Sequence, residues 1–278
     1  MGKTLLISTS DRISAFDRVL STIPCKGEVL NRMALEWFTL TEDIIPNHIL
    51  RQVTPRTVEV RKCEVLPVEV VVRGYLTGSA WRDYSAGRSV SGIDLPQGMR
   101  MDQRFETPLL TPSTKAEQGL HDEPISSAEI LSSGLVEGKI WRRVEEAAQE
   151  LFRRGSEICA TRGLILVDTK YEFGLLDGEV LVVDEVHTPD SSRFWFADSY
   201  TSLFEAGESQ KKLDKEYLRQ WLMDHGFMGE GDAPAIPDEV RLETAARYIG
   251  AFERITGKTF VPEAGKVDEL KAVEEYLG

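Results

Sequence analysis

One stretch constrains this chain more than any other. Residues 163–186 read GLILVDTKYEFGLLDGEVLVVDEV. Two apolar, β-branched runs flank Asp177-Gly178, a dipeptide that favours tight turns, so the stretch predicts a β-hairpin. Strand side chains alternate with period two. Leu164, Leu166, Asp168, Lys170 and Glu172 are therefore expected on one face, and Ile165, Val167, Thr169, Tyr171 and Phe173 on the other. The first face begins apolar and turns minus, plus, minus. It reads either as a solvated cross-strand ion-pair patch or as the wall of an active site.

The turn decides whether Asp184 joins that wall. A two-residue turn at Asp177-Gly178 pairs Leu176 with Glu179 and sets Asp184 opposite Tyr171, on the apolar face. A three-residue loop with a bulge at Gly178 pairs Leu175 with Glu179 and sets Asp184 opposite Lys170. A carboxylate against Tyr171 and Phe173 is costly, so the three-residue loop is favoured. Asp168, Glu172 and Asp184 then surround Lys170, and Glu172 and Asp184 become candidate magnesium ligands: this ion takes hard oxygens, often one or two carboxylates plus substrate phosphates.

The 278-residue chain is 41% hydrophobic, enough for a real core, and suits one large domain or two lobes about a cleft. Its net charge of −13 argues against non-specific nucleic-acid binding. A locally basic pocket for a small phosphorylated substrate remains compatible with it. Cys25, Cys63 and Cys159 have no zinc spacing and read as reduced thiols. No apolar run approaches the roughly 20 residues of a membrane helix, and no signal-peptide core is visible. The expectation is a cytoplasmic protein, monomeric or homodimeric.

Strands are expected at 3–9 and, broken near Pro67, over 56–76. Helices are expected at 27–44, 78–87, 139–163, 214–226 (capped by Asp214 and Gly226), 237–257 and 266–277. Residues 88–135 read as a long polar loop. Strand-rich beginnings followed by a hairpin and helices indicate an α+β fold, with lobes approximated as 1–75 and 76–278.

Several polar clusters adjoin the hairpin. Asp11, Arg12, Ser14 and Asp17 follow the first strand and read most simply as a capped turn around Phe16. Arg73 ends a β-branched run, and Ser79 follows Gly78 at a possible helix start, so the two suit an anion as well as a plain glycine turn. The 109–126 loop holds Thr111, Ser113, Lys115, His121 and Asp122 but no Gly-x-x-x-x-Gly-Lys pattern. Asp190 and Arg193 lie just beyond the hairpin and either reach the charged face or cap a turn.

The segments SDRISAFD, VEVVVRGYLTGSAWRDY, TPSTKAEQGLHDEPIS, GLILVDTKYEFGL, DEVHTPDSSRFW and DKEYLRQWL, in this order, resemble the signature segments of the SAICAR synthase family, from about Ser10 to residue 260. The resemblance implies a two-lobed fold similar to protein kinases and ATP-grasp enzymes, with ATP in the cleft. It also implies ATP-dependent joining of L-aspartate to carboxyaminoimidazole ribonucleotide through an acyl phosphate. It implies Mg2+ on Glu172 and Asp184, Asp168 and Lys170 beside them as catalytic residues, and Lys115 with them. Arg73, Ser79 and Arg193 would bind the ribonucleotide, and Ser14, His121 and Asp122 would line the cleft. The family opens with a glycine-rich hairpin over the ATP phosphates, and Met1 falls where that hairpin should have ended. Either the start lies downstream of the true one, or the phosphate cover is absent, which would leave an exposed sheet edge and a nucleotide-binding remnant.

Overall fold

The structure, a computed structural model, describes residues 2–16, 18–115, 123–213 and 216–277. His121, Asp122, Asp17 and Asp214 lie outside them. The chain begins with strand β1 (Thr4–Ser8), the hairpin β2 (Arg12–Ala15) and β3 (Arg18–Thr22), helix α1 (Lys26–Leu40), and strands β4 (Ile49–Gln52), β5 (Thr57–Arg61) and β6 (Glu64–Tyr75). Helix α2 (Gly78–Ser85), strand β7 (Arg104–Thr114), and helices α3 (Ser127–Ser133) and α4 (Gly138–Ala160) follow. Then come β8 (Leu164–Leu176), β9 (Glu179–Val183), β10 (Ser192–Phe196) and helices α5 (Ala197–Ala206), α6 (Glu216–Asp224), α7 (Asp238–Thr256) and α8 (Glu269–Leu277).

Two sheets carry the architecture. One has the order β1-β5-β4; the other runs β10-β8-β6-β7, with β9 also paired to β8. Among the described residues every strand ladder is antiparallel, with one isolated parallel bridge between Asn47 and Val182, and helices alternate with the strands, so the fold is α+β. Helix α4 buries Trp141, Val144, Ala147, Leu151 and Phe152 in the main core with Val70, Val72, Tyr171 and Phe173 of the larger sheet. Strand β1 is an edge of its sheet and leaves Leu5 and Ile7 exposed. No described helix is long and apolar enough to cross a membrane.

Three sequence expectations are corrected here. The break in 56–76 falls at Lys62-Cys63, and β6 runs through Pro67. Pairing with β8 is interrupted between Val65 and Glu69, and pairing with β7 starts at Val68, so Pro67 sits where no ladder donor is needed. Residues 88–135 are not one loop: they contain β7 and α3. Pro108 and Pro112 disguise β7 as coil, but β7 is an edge strand, which tolerates missing amides. Helix α3 begins with a reciprocal capping box between Ser126 and Glu129.

The third correction concerns the hairpin. Leu176 pairs with Glu179, so the turn has two residues, with φ 52 at Asp177 and 84 at Gly178. This is the type I′ geometry that matches strand twist, and the three-residue loop is not formed. The face assignment also changes within β8. Arg193 pairs with Asp168, but Phe194 pairs with Leu166, which leaves Val167 as the extra residue of a β-bulge. The bulge reverses parity. Leu164 and Leu166 therefore join the main core with Tyr171 and Phe173, while Val167 packs with Tyr75 and Trp195 on the side of the charged residues.

Candidate active site

The charged face is built by neighbouring strands in register. Across β6 and β8, Arg73 lies opposite Asp168 and Glu69 opposite Glu172. Thr111 of β7 lies opposite Val71, which places it on the same face as Glu69 and Arg73. Asp168, Lys170, Glu172, Lys115, Arg73 and Arg193, expected together from sequence, do converge here.

One end of the face is acidic. Glu69 directly opposite Glu172 would repel it, and Lys170 resolves the conflict with Nζ 2.9 Å from a carboxylate oxygen of each. Lys115 bonds the other oxygen of Glu172. Burial works against the Lys170 ammonium, but Glu172 and Glu69 outweigh it and raise its pKa. Burial also opposes ionisation of Glu172, yet Lys115 and Lys170 hold its pKa below the usual range. Lys170 is thus a persistent cation rather than a proton acceptor.

Asp184 reaches this end by a route the pairing alone does not suggest. β9 stops at Val183, and Asp184 adopts φ 65, so the chain leaves the ladder before it could face Tyr171. Its residue surface is open to solvent, yet enough protein surrounds the carboxyl that desolvation, then Glu172, raise its pKa, against Lys170 and Lys115. Among the described residues its carboxylate accepts no hydrogen bond and joins no ion pair. Three carboxylates, Glu69, Glu172 and Asp184, and two ammoniums, Lys115 and Lys170, stand at this end.

The donor set fits Mg2+ supplied with a phosphate-bearing ligand, which needs only one or two protein carboxylates. Among the described residues no group of three or more His, Cys, Asp and Glu is set to hold an ion unaided. Both Glu172 oxygens are engaged by lysines, so a cation there would exchange places with one of them.

The other end is basic. Asp168, 5% exposed, lies between two guanidiniums. Arg193 approaches it through two nitrogens, Nε at 2.8 Å, and Arg73 Nη1 stands 3.6 Å away. Thr111 fixes Arg73 by accepting from Nε at 2.8 Å while donating to the Val71 carbonyl at 3.1 Å. Arg73 and Arg193 bring two guanidiniums to this end, beside the start of α2, where Ser79 lies; besides Asp168, the Asp83 carboxylate acts on Arg73 and Asp102 lies within electrostatic reach of Arg193. A Cβ on Gly78 would fall 2.2 Å from Arg193 Nη1, and its φ is +60. Gly78→Ala should therefore push Arg193 off Asp168 and strain the turn, lowering stability by about 1–3 kcal/mol in urea melts. An unchanged midpoint would show that Arg193 has room to spare.

A pocket of about 420 Å³ opens between the small sheet, α1 and the segment after β9. Its walls include Ile7, Phe38 and Val58 on one side and Asp184, Glu185 and Lys26 on another, and Ser14 also lines it. Asp190 does not join the strand face. It accepts from Lys26 Nζ at 2.7 Å and from the Tyr248 hydroxyl at 2.6 Å. Burial, then Asp184 and Asp190, push Glu185 up to about 7.

Sequence reasoning missed Glu69, Lys26 and Glu185. Glu69 was accessible, since it shares the parity of Arg73 in VEVVVR. Lys26 had only the oddity of a cation in a helix's first turn, where the dipole disfavours it.

A family model described as SAICAR synthetase matches residues 1–235. The phosphoribosylaminoimidazole-succinocarboxamide synthase of Bacteroides fragilis is 50% identical over 266 residues, covering 94% of this chain and 85% of that protein. The synthase of Legionella pneumophila (strain Paris) is 42% identical over 289 residues, covering 100% and 92%. The SAICAR synthase of Saccharomyces cerevisiae, solved in complex with SAICAR, superposes with a TM-score of 0.83 at 36% identity, covering 93% of this chain and 91% of that one. A SAICAR synthetase solved with ADP gives a TM-score of 0.70 at 26% identity, covering 95% and 94%. Fold and relatives together place the chain among two-lobed α+β ligases. The chain belongs to the SAICAR synthetase family, whose members are ATP-dependent ligases of purine biosynthesis.

Proposed function

We propose that this protein joins L-aspartate to carboxyaminoimidazole ribonucleotide at the expense of ATP, releasing ADP and phosphate. The observation that carries this reading is the polarity of the strand face: a cation-seeking end at Glu172 and Asp184, and an anion-seeking end at Arg73 and Arg193. A substrate carrying a phosphate at one end and a carboxylate to be phosphorylated at the other matches that polarity.

In this reading Arg73, Arg193 and Ser79 grip the ribonucleotide phosphate, and Asp168 orients both guanidiniums. The substrate carboxylate attacks the γ-phosphorus of ATP; the bond to the ADP oxygen breaks and an acyl phosphate forms. The aspartate amine then attacks the acyl carbon, phosphate leaves, and the amine loses its proton. Glu172 and Asp184 would hold Mg2+, which neutralises phosphate charge during transfer. Lys170 and Lys115, both cationic, stabilise negative charge developing on the transferred group. Ser14 lines the nucleotide side. His121 and Asp122 would line the cleft as well.

The test is ADP release measured with purified protein, MgATP, ribonucleotide and aspartate. Release should require both of the last two. No release with all present, from protein shown to be folded, would overturn the ligase reading.

A further inference from the structure

His187 lies three residues beyond Asp184, in the segment joining β9 to β10, and neither the strand face nor the pocket accounts for it. Its side chain is completely buried. The ring nitrogen Nε2 is 2.5 Å from the Tyr171 hydroxyl, on the core side of β8. The imidazole stands edge-on to Trp37 of α1, with ring centroids 4.5 Å apart at 85°. On the side of α4, a Cβ at Gly155 would lie 2.3 Å from His187 Cε1.

Three unfavourable features meet at this one residue. Its φ of 51 is a conformation that non-glycine residues adopt at a cost. Accommodating it requires glycine inside α4, where glycine is a poorer helix former than alanine. Its Nδ1 is buried without a hydrogen-bond partner among the described residues. A leucine would fill a core site with fewer of these penalties. Burial lowers the imidazole pKa to about 3, so the ring is neutral at working pH and is no pH switch.

The arrangement makes sense as a seat for the backbone. Asp184 at φ 65 and His187 at φ 51 are the two left-handed residues that carry the chain off the β9 ladder. The first brings its carboxyl within electrostatic reach of Lys170 and Glu172; the second anchors the turn on α1, α4 and β8. We propose that His187 is a positioning residue: wedged between Tyr171, Trp37 and Gly155, it holds the turn that presents Asp184 to a divalent cation carried by the nucleotide. This rests on the reading of Asp184 as a metal ligand.

The experiment measures ADP-dependent Mn2+ binding by the full chain, followed by loss of the free-ion electron paramagnetic resonance signal. Ribonucleotide binding is measured beside it by calorimetry. Gly155→Ala improves helix propensity but pushes on the imidazole, and it should weaken Mn2+ binding about tenfold, the usual scale for residues supporting a metal ligand. Ribonucleotide affinity should stay within about twofold, a split that a general loss of structure would not produce. His187→Leu should behave likewise, and the double variant should be no worse than either single one, because both disturb the same seat. If His187→Leu fails to fold, Gly155→Ala and Tyr171→Phe decide. Wild-type Mn2+ affinity in folded Gly155→Ala, or equal loss of both ligands, overturns the proposal. Asp184→Asn separates the two readings: if it keeps full Mn2+ affinity, the metal assignment falls and this proposal with it. If it loses affinity while Gly155→Ala does not, only the role of His187 falls.

Discussion

Asp184→Asn should lower turnover about 10³-fold, the upper range for removing one transition-state charge contact, while leaving the fold intact. The carboxylate joins no ion pair or hydrogen bond among the described residues, so its loss strands no partner. Its pKa is raised in the fold by desolvation and Glu172, which means the ionised form is disfavoured there. The sign of the pH effect follows. A carboxyl with a raised folded pKa contributes stability fully at pH below its unfolded value and loses that contribution as pH rises through the folded one. At neutral pH the asparagine variant should therefore melt at the same temperature as the parent or slightly higher. Such an exchange of stability for function is common where a site keeps a charge for chemistry. Rates of ADP release and a thermal melt check both halves. Turnover at the parental rate would remove Asp184 from the reaction.

Asp168→Ala should cause the largest loss of stability. It leaves Arg73 and Arg193, with side-chain exposures of 12% and 32%, facing one another without their shared carboxylate. Breaking a buried pair by removing one partner typically costs about 3–5 kcal/mol, because the remaining charge is uncompensated. The exposure of Arg193 places the expected loss near the lower figure. The ion pairs of Arg153 with Glu150 and Glu157 on the surface of α4 supply the contrast: Arg153→Ala should cost less than about 1 kcal/mol. Urea midpoints for the two variants, with the slope checked for two-state behaviour, test the difference. Equal losses would mean that Asp168 is no more than a surface partner.

Much of the site was legible before the fold. Alternation in β8 correctly grouped Asp168, Lys170 and Glu172, because all three lie on the same side of the bulge. The same alternation failed for Leu164 and Leu166, because period two holds only while every residue is paired and Val167 is not. The hairpin turn was misjudged for an instructive reason. The cost of burying Asp184 was sound, and the chain does avoid it, but by a left-handed backbone at Asp184 rather than by a change of register at the turn. The partners of Arg193 and Asp190 were undecidable from sequence, since each was within reach of the face and only one lies there.

The sequence by itself determined the local matters: the Asp-Gly hairpin, the amphipathic α4, and the residue types fit for phosphate and magnesium chemistry. Its ordered motifs also determined the family. The tertiary structure alone decided which charges meet. Glu69 opposes Glu172, Thr111 steadies Arg73, and Lys26 closes on Asp190 because strands and helices far apart in sequence pack side by side. A charge separated by a hundred residues leaves no periodic trace, and its energy depends on distance and burial, which exist only once the chain has folded.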